Sequence, residues 1–197
     1  MPAPPPADPR RYDVCFSLPG GSLFRKLDRG VALGGDGIAW TTDGRTLQMP
    51  YGDVAAIHLT SGGLQTIIDR CAIAFADGTT LTVVNSNPGG YADRAQAAAY
   101  RDFVHDLHRR LAAGAAAGTR FTAGGPRGRY LTMMAATGVV TFACVAGGAA
   151  FFVVFGDLKG IALALLGAYL GWKFGRVTRA NAPRDYAPGH VPEELLR

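Results

Sequence analysis

The stretch Leu131-Thr-Met-Met-Ala-Ala-Thr-Gly-Val-Val-Thr-Phe-Ala-Cys-Val-Ala-Gly-Gly-Ala-Ala-Phe-Phe-Val-Val-Phe-Gly156 carries no charged side chain. A helix rises about 1.5 Å per residue, so this run is long enough for the roughly 30 Å hydrocarbon core of a bilayer. Its Leu, Val and Phe residues each favour insertion by roughly 0.3–0.6 kcal/mol, and its glycines and threonines oppose this only weakly. After the break Gly156-Asp157-Leu158-Lys159-Gly160, a second apolar run, Ile161 to Trp172, heads back. It is short, and must extend through Lys173-Phe174-Gly175-Arg176-Val177 with its basic heads snorkelling to the interface. The spacing therefore predicts a two-helix transmembrane hairpin over residues 130–177, with Tyr130, Tyr169 and Trp172 as interfacial anchors.

The cations around this hairpin predict its orientation. Arg109, Arg110, Arg120, Arg127 and Arg129 precede it, and Lys173, Arg176, Arg179 and Arg184 close it, whereas the turn has only Lys159 beside Asp157. Basic flanks stay in the cytoplasm, so both termini are expected there. The net charge of +5 over 197 residues is read as topology and attraction to anionic lipid, not nucleic-acid binding, because no aromatic-rich basic stripe accompanies it. The excess of Arg over Lys and the abundance of Gly and Ala point to a GC-rich bacterial genome, hence to an inner (cytoplasmic) membrane.

Upstream, the proline-rich opening of residues 1–11 lacks the apolar core of a signal peptide and is expected to be a disordered lead-in. Short alternating segments follow. Asp13 to Leu18 reads as a strand ended by Pro19-Gly20-Gly21, and Phe24 and Leu27 as a brief turn or edge strand. Val31 and Leu33, Ile38 and Trp40, then Leu47 and Met49 alternate around Gly34-Gly35-Asp36-Gly37 and Asp43-Gly44. Ala55, Ile57 and Leu59 share a face, as do Cys71, Ile73 and Phe75, and Asp77-Gly78 turns into Leu81 and Val83. Asp-Gly between alternating runs is a strong hairpin signal. About seven antiparallel strands closing into a small barrel or sandwich are expected. Tyr100, Phe103, Val104, Leu107 and Leu111 then lie on one face of a helix that must bury that stripe on the β structure. Residues 12–113 are thus one α+β domain, 114–129 a Gly/Pro-containing linker, and 178–197 a proline-spaced tail.

Two stretches carry a resemblance: Gln48-Met-Pro-Tyr-Gly-Asp-Val-Ala-Ala-Ile-His-Leu59, and Tyr100-Arg-Asp-Phe-Val-His-Asp-Leu107. The first resembles the Pro-Tyr-x-Asp-Val/Ile entry into a middle strand of bacterial pleckstrin-homology-like (PH-like) domains. Some seven strands followed by one amphipathic helix are similar to that family over about residues 12–113. A PH-like domain joined to a membrane hairpin is similar to a class of small bacterial membrane proteins of unclear function. Phosphoinositide-binding members place a lysine and two spaced basic residues across the first hairpin. Here Arg25, Lys26 and Arg29 precede the clear hairpins, so no specific phosphoinositide site is implied.

No stretch names a reaction. The glycine pairs never form a strand, phosphate loop and helix in order, and the aspartates sit at turns or on the helix. No nucleophile has a recognisable setting. His105 and His108 are three apart but have no third ligand nearby, while His58 and His190 read as surface and tail. The cysteines Cys15, Cys71 and Cys144 show no metal or disulfide spacing, which suits a reducing compartment. Neither cofactor nor metal is expected. Gly167, Gly171 and Gly175 form a small-residue stripe on the second helix, and the first helix presents small residues too, including Ala143, Cys144, Gly147 and Gly148. The stripe serves either the two helices themselves or a homo-oligomer or membrane-protein partner. Arg25, Lys26, Arg29, Arg127, Arg129, Lys173, Arg176 and Arg179 are candidate anionic-lipid contacts. Tyr186, Val191, Leu195 and Leu196 are apolar handles by which the tail would dock on the domain or a partner. The reading is a non-enzymatic, membrane-anchored binding or scaffolding module. The alternative is an accessory subunit that docks in a larger membrane assembly through the glycine stripe.

Overall fold

The computed structural model describes residues 9–19, 28–61, 68–89, 91, 93–115 and 118–196. The chain is α+β and divides into two compact units, one of residues 1–124 with 184–197 and one of residues 125–183. The second unit is thus an insertion between two strands of the first.

Among the described residues the first unit is a nine-stranded open sheet in the order β4-β3-β2-β1-β7-β6-β5-β8-β9. Its strands are β1 Arg10–Ser17, β2 Asp28–Leu33, β3 Gly37–Thr42, β4 Arg45–Pro50, β5 Val54–Thr60, β6 Arg70–Phe75, β7 Thr80–Val84, β8 Arg120–Ala123 and β9 Arg184–Asp185. All neighbours are antiparallel except β5 and β8. The expected turns do their work: Asp43 and Gly44 both have positive φ (50° and 73°), the tight-turn geometry that Asp-Gly favours between β3 and β4. Val31, Leu33, Ile38, Trp40, Ile73, Phe75, Leu81 and Val83 alternate into the core. Helix α1, Arg94–Arg110, starts where the Asp93 carboxylate accepts from the Ala95 N–H at 2.9 Å. It buries Tyr100, Phe103, Val104 and Leu107, and Leu111 beyond its end is buried as well.

Four expectations change. Among the described residues there are nine strands rather than about seven, and the sheet is open rather than a closed barrel or sandwich. The extra strands lie in the expected linker (β8) and tail (β9), where four- and two-residue pairings leave no readable periodicity. Arg10 and Arg11, expected in the disordered lead-in, belong to β1; Phe24, Arg25, Lys26 and Leu27 lie outside the described residues. In β5 a bulge between Val54 and Ala56 shifts the phase, so Val54 is buried and Ala55 exposed.

The second unit is helix α2, Arg127–Phe155, and helix α3, Leu158–Ala180. Gly156 ends α2 in the left-handed region at φ 64°, and the Asp157 carboxylate caps α3 by accepting from the Lys159 N–H at 2.9 Å. Among the described residues α2 is the one helix long and apolar enough to cross a membrane. The expectation of two such helices is not met, because Lys159, Lys173, Arg176 and Arg179 crowd the apolar run of α3 from both ends.

Candidate functional site

Three places gather the chemistry-bearing side chains, two in the sheet unit and one in the helical unit. The first centres on His108, in the last turn of α1 and 1% exposed. Its Nδ1 lies 2.7 Å from the Val104 carbonyl oxygen, which can only accept, so Nδ1 carries the proton. Nε2 then accepts from the Tyr186 hydroxyl at 2.8 Å. The His108 ring lies 5.7 Å from that of Tyr186 and 5.5 Å from that of Phe121. Burial pushes the imidazole down to about 4 and the Tyr186 phenol well above its ordinary value. His105, three residues before His108, approaches Glu193 at 3.1 Å, so the two imidazoles have separate partners. His58 hydrogen-bonds Thr122 Oγ1 at 2.8 Å and is lowered by burial.

The tail builds this cluster. Leu195 and Leu196 are buried in the core, and Tyr186 and Val191 pack against it. The Arg101 guanidinium donates to the Leu196 carbonyl at 2.7 Å, and Arg184 donates to Glu194 at 2.5 Å. All four apolar handles of the tail therefore sit on the sheet unit. Beside them lies an open cleft of about 450 Å³, with Phe121, Tyr186 and Pro188 as apolar walls and Arg120 and Asp185 as opposite charges.

The second place is a polar clasp at the end of α1. Asp106 accepts from the Tyr12 hydroxyl at 2.8 Å and from Arg110 Nε at 3.1 Å. Arg110 and the Tyr51 hydroxyl both donate to the Gly34 carbonyl. Burial, followed by the Asp106 hydrogen bond, raises the Tyr12 phenol to about 12; burial likewise raises that of Tyr51 to about 12. These groups satisfy one another and tie the helix to the β2–β3 turn, a structural role.

In the helical unit, α2 and α3 touch at glycine. A Cβ added at Gly148 would lie 2.6 Å from the Gly160 carbonyl oxygen and 2.7 Å from the Ala164 nitrogen. Of the expected stripe, Gly167 abuts Cys144 and Gly171 abuts Thr141, while a Cβ added at Gly175 meets nothing within 4 Å. The stripe thus serves the internal seam at two of its three positions. The backbone-on-backbone contact of Gly148 with Gly160 is only half legible in the sequence, because Gly160 reads as part of the turn. Gly148→Leu is expected to pry the helices apart at an overpacking cost of about 1–3 kcal/mol or more, whereas Gly147→Leu enters open space. Dodecyl sulfate titration should unfold the helix pair earlier for the first variant alone; equal midpoints would contradict this packing.

The expected cationic contacts fall into two groups. Arg25 and Lys26 lie outside the described residues, and Arg29 is paired with Asp13 at 2.6 Å. Arg127, Arg129, Lys173 and Arg179 are exposed and make no ion pair among the described residues, and Arg176 lies over the Trp172 ring at 5.2 Å. Among the described residues no group of three or more His, Cys, Asp or Glu is placed to hold a metal. Compared with family models and with curated proteins, the chain matches none.

Proposed function

We propose that this chain is a membrane-anchored, non-enzymatic binding module of the bacterial inner membrane, in which a PH-like sheet unit carries the ligand-binding cleft. The observation that carries the reading is the surface of α2. Only 6% of its most apolar window is buried, and Val139, Phe142, Val153 and Phe155 are each more than two-thirds exposed. At about 25 cal/mol per Å² of apolar surface, such a helix is costly in water and stable in lipid. The strand order β4-β3-β2-β1-β7-β6-β5, followed by a helix with one apolar face on the sheet, supports the PH-like reading. Three residues join β8 to α2 and three join α3 to β9, so two short connections tether the sheet unit to the anchor. The ligand that suits the cleft of Phe121, Tyr186, Arg120 and Asp185 is an extended peptide segment of a partner, because its charges are of both signs. The accessory-subunit reading has less support, since Gly167 and Gly171 are already occupied within the chain.

Carbonate extraction and thiol labelling test the anchor. The protein should stay in the membrane at high pH. In a Cys-free background, Lys159→Cys should react with an impermeant maleimide from outside and Asn181→Cys only after lysis. Release by carbonate would overturn the membrane reading; labelling of both positions from the same side would show that α3 does not cross. Purification in polymer discs with mass spectrometry then identifies the partner, and Tyr186→Ala should weaken its retention if the cleft holds it.

A further inference from the structure

We propose that the open end of the α2–α3 seam is a groove for one acyl chain of an anionic phospholipid, whose phosphate rests on Arg179. The inference rests on the membrane reading above and adds a site to it. The two helices are in contact from Gly148 and Gly160 to Thr141 and Gly171, and a cleft of about 460 Å³ flanks the Thr141–Gly171 end of this seam and runs on past it to Gly175 and Arg179. Gly171 and Gly175 form its floor on α3, and Thr137, Gly138 and Phe142 line it on α2. Along α2 it reaches from Met134 to Val145, about 16 Å at 1.5 Å per residue, close to half of the roughly 30 Å hydrocarbon core. That is the depth of one leaflet's acyl chain.

Charge decides the occupant. Arg179 lines the groove at its polar end and has no partner among the described residues. Arg127, Arg129, Lys173 and Arg176 lie at the same end of the helix pair, while the one acidic residue between Gly125 and Pro183 is Asp157, in the turn at the other end. A second copy side by side in the same orientation would bring ten such cations together with no counter-charge, at a like-charge cost. A phosphate headgroup supplies the missing sign, and its acyl chain fills a groove that water cannot enter within the hydrocarbon region.

The test reconstitutes the full chain in phosphatidylcholine vesicles with trace phosphatidylglycerol or phosphatidylcholine, each bearing the same nitroxide near the end of one acyl chain. Electron spin resonance reads the motionally restricted fraction. The wild type should restrict phosphatidylglycerol preferentially. Arg179→Gln should lower that preference about fivefold, the equivalent of about 1 kcal/mol for one cation at the membrane surface. Arg127→Gln, outside the groove, should lower it by less than half as much. Gly175→Leu, whose side chain starts in open space and leaves the seam intact, should remove most of the restricted signal for both lipids. Equal effects of the two arginine variants, or an unchanged signal in Gly175→Leu, would overturn the groove. So would a rapid intermolecular disulfide in Gly175→Cys, which would assign it to a second copy. Loss of the protein from the vesicles in carbonate would instead sink the membrane reading itself.

Discussion

Deleting residues 184–197 is expected to abolish cooperative folding of the sheet unit. This segment supplies β9, and it places Leu195 and Leu196, each 1% exposed, in the same core as Phe103, Leu107 and Ile57. Truncating one buried leucine to alanine costs about 2–5 kcal/mol, and a whole domain is stable by only about 5–15 kcal/mol. The deletion also leaves the His108 Nε2 and the Arg101 guanidinium without their partners on Tyr186 and Leu196. Leu195→Ala is the graded version, with an expected loss of about 2–4 kcal/mol. Trp40, 2% exposed and stacked on Phe75 at 5.8 Å, reports the transition in a Trp172→Phe background during urea unfolding. A truncated protein with the same midpoint as the full chain would make the tail an appendage rather than part of the core.

A steep loss of stability on mild acidification is the second large effect expected. His108 is neutral in the folded state, with its proton affinity pushed by burial from the ordinary 6.5 to about 4. Between those values the unfolded chain takes up a proton and the folded chain does not. The contribution is therefore fully present above pH 6.5 and is lost as pH falls toward 4, a total of roughly 3 kcal/mol, of which about 2 kcal/mol falls between pH 6.5 and 5. The urea midpoint should drop over that window in the wild type. His108→Gln, which takes no proton, should show a flatter dependence even if it is less stable at neutral pH. Parallel curves for the two proteins would mean that the imidazole is not held neutral beneath Tyr186.

The His108 cluster also shows why the candidate site was only partly legible. The i, i+3 spacing of His105 and His108 is visible in the chain, but the partners that separate them are not: Tyr186 lies 78 residues from His108, and Glu193 lies on the same distant tail. Tyr186, Val191, Leu195 and Leu196 stood out because apolar side chains in a proline-spaced tail have no local use. Their destination, the core beneath α1, has no local signature. Gly167 and Gly171 were readable as a packing stripe from their four-residue spacing, and a neighbour across the seam gives each its role. Gly175, with the same spacing, faces a groove.

From the sequence by itself came the division into a β-rich unit with one amphipathic helix and an apolar helical segment, the turns at Asp43-Gly44 and Asp77-Gly78, and the buried face of α1. Each of these rests on interactions within a few residues, where alternation, helical period and turn chemistry leave a pattern in the chain. Only the tertiary structure decided that β8 joins β5 in parallel, that β9 and the tail belong to the sheet unit although the helical segment precedes them in sequence, and that α2 and α3 touch backbone on backbone at Gly148 and Gly160. Those are pairings between distant segments, fixed by which surfaces bury best together, and a two-residue strand or a single glycine is too short to announce its partner.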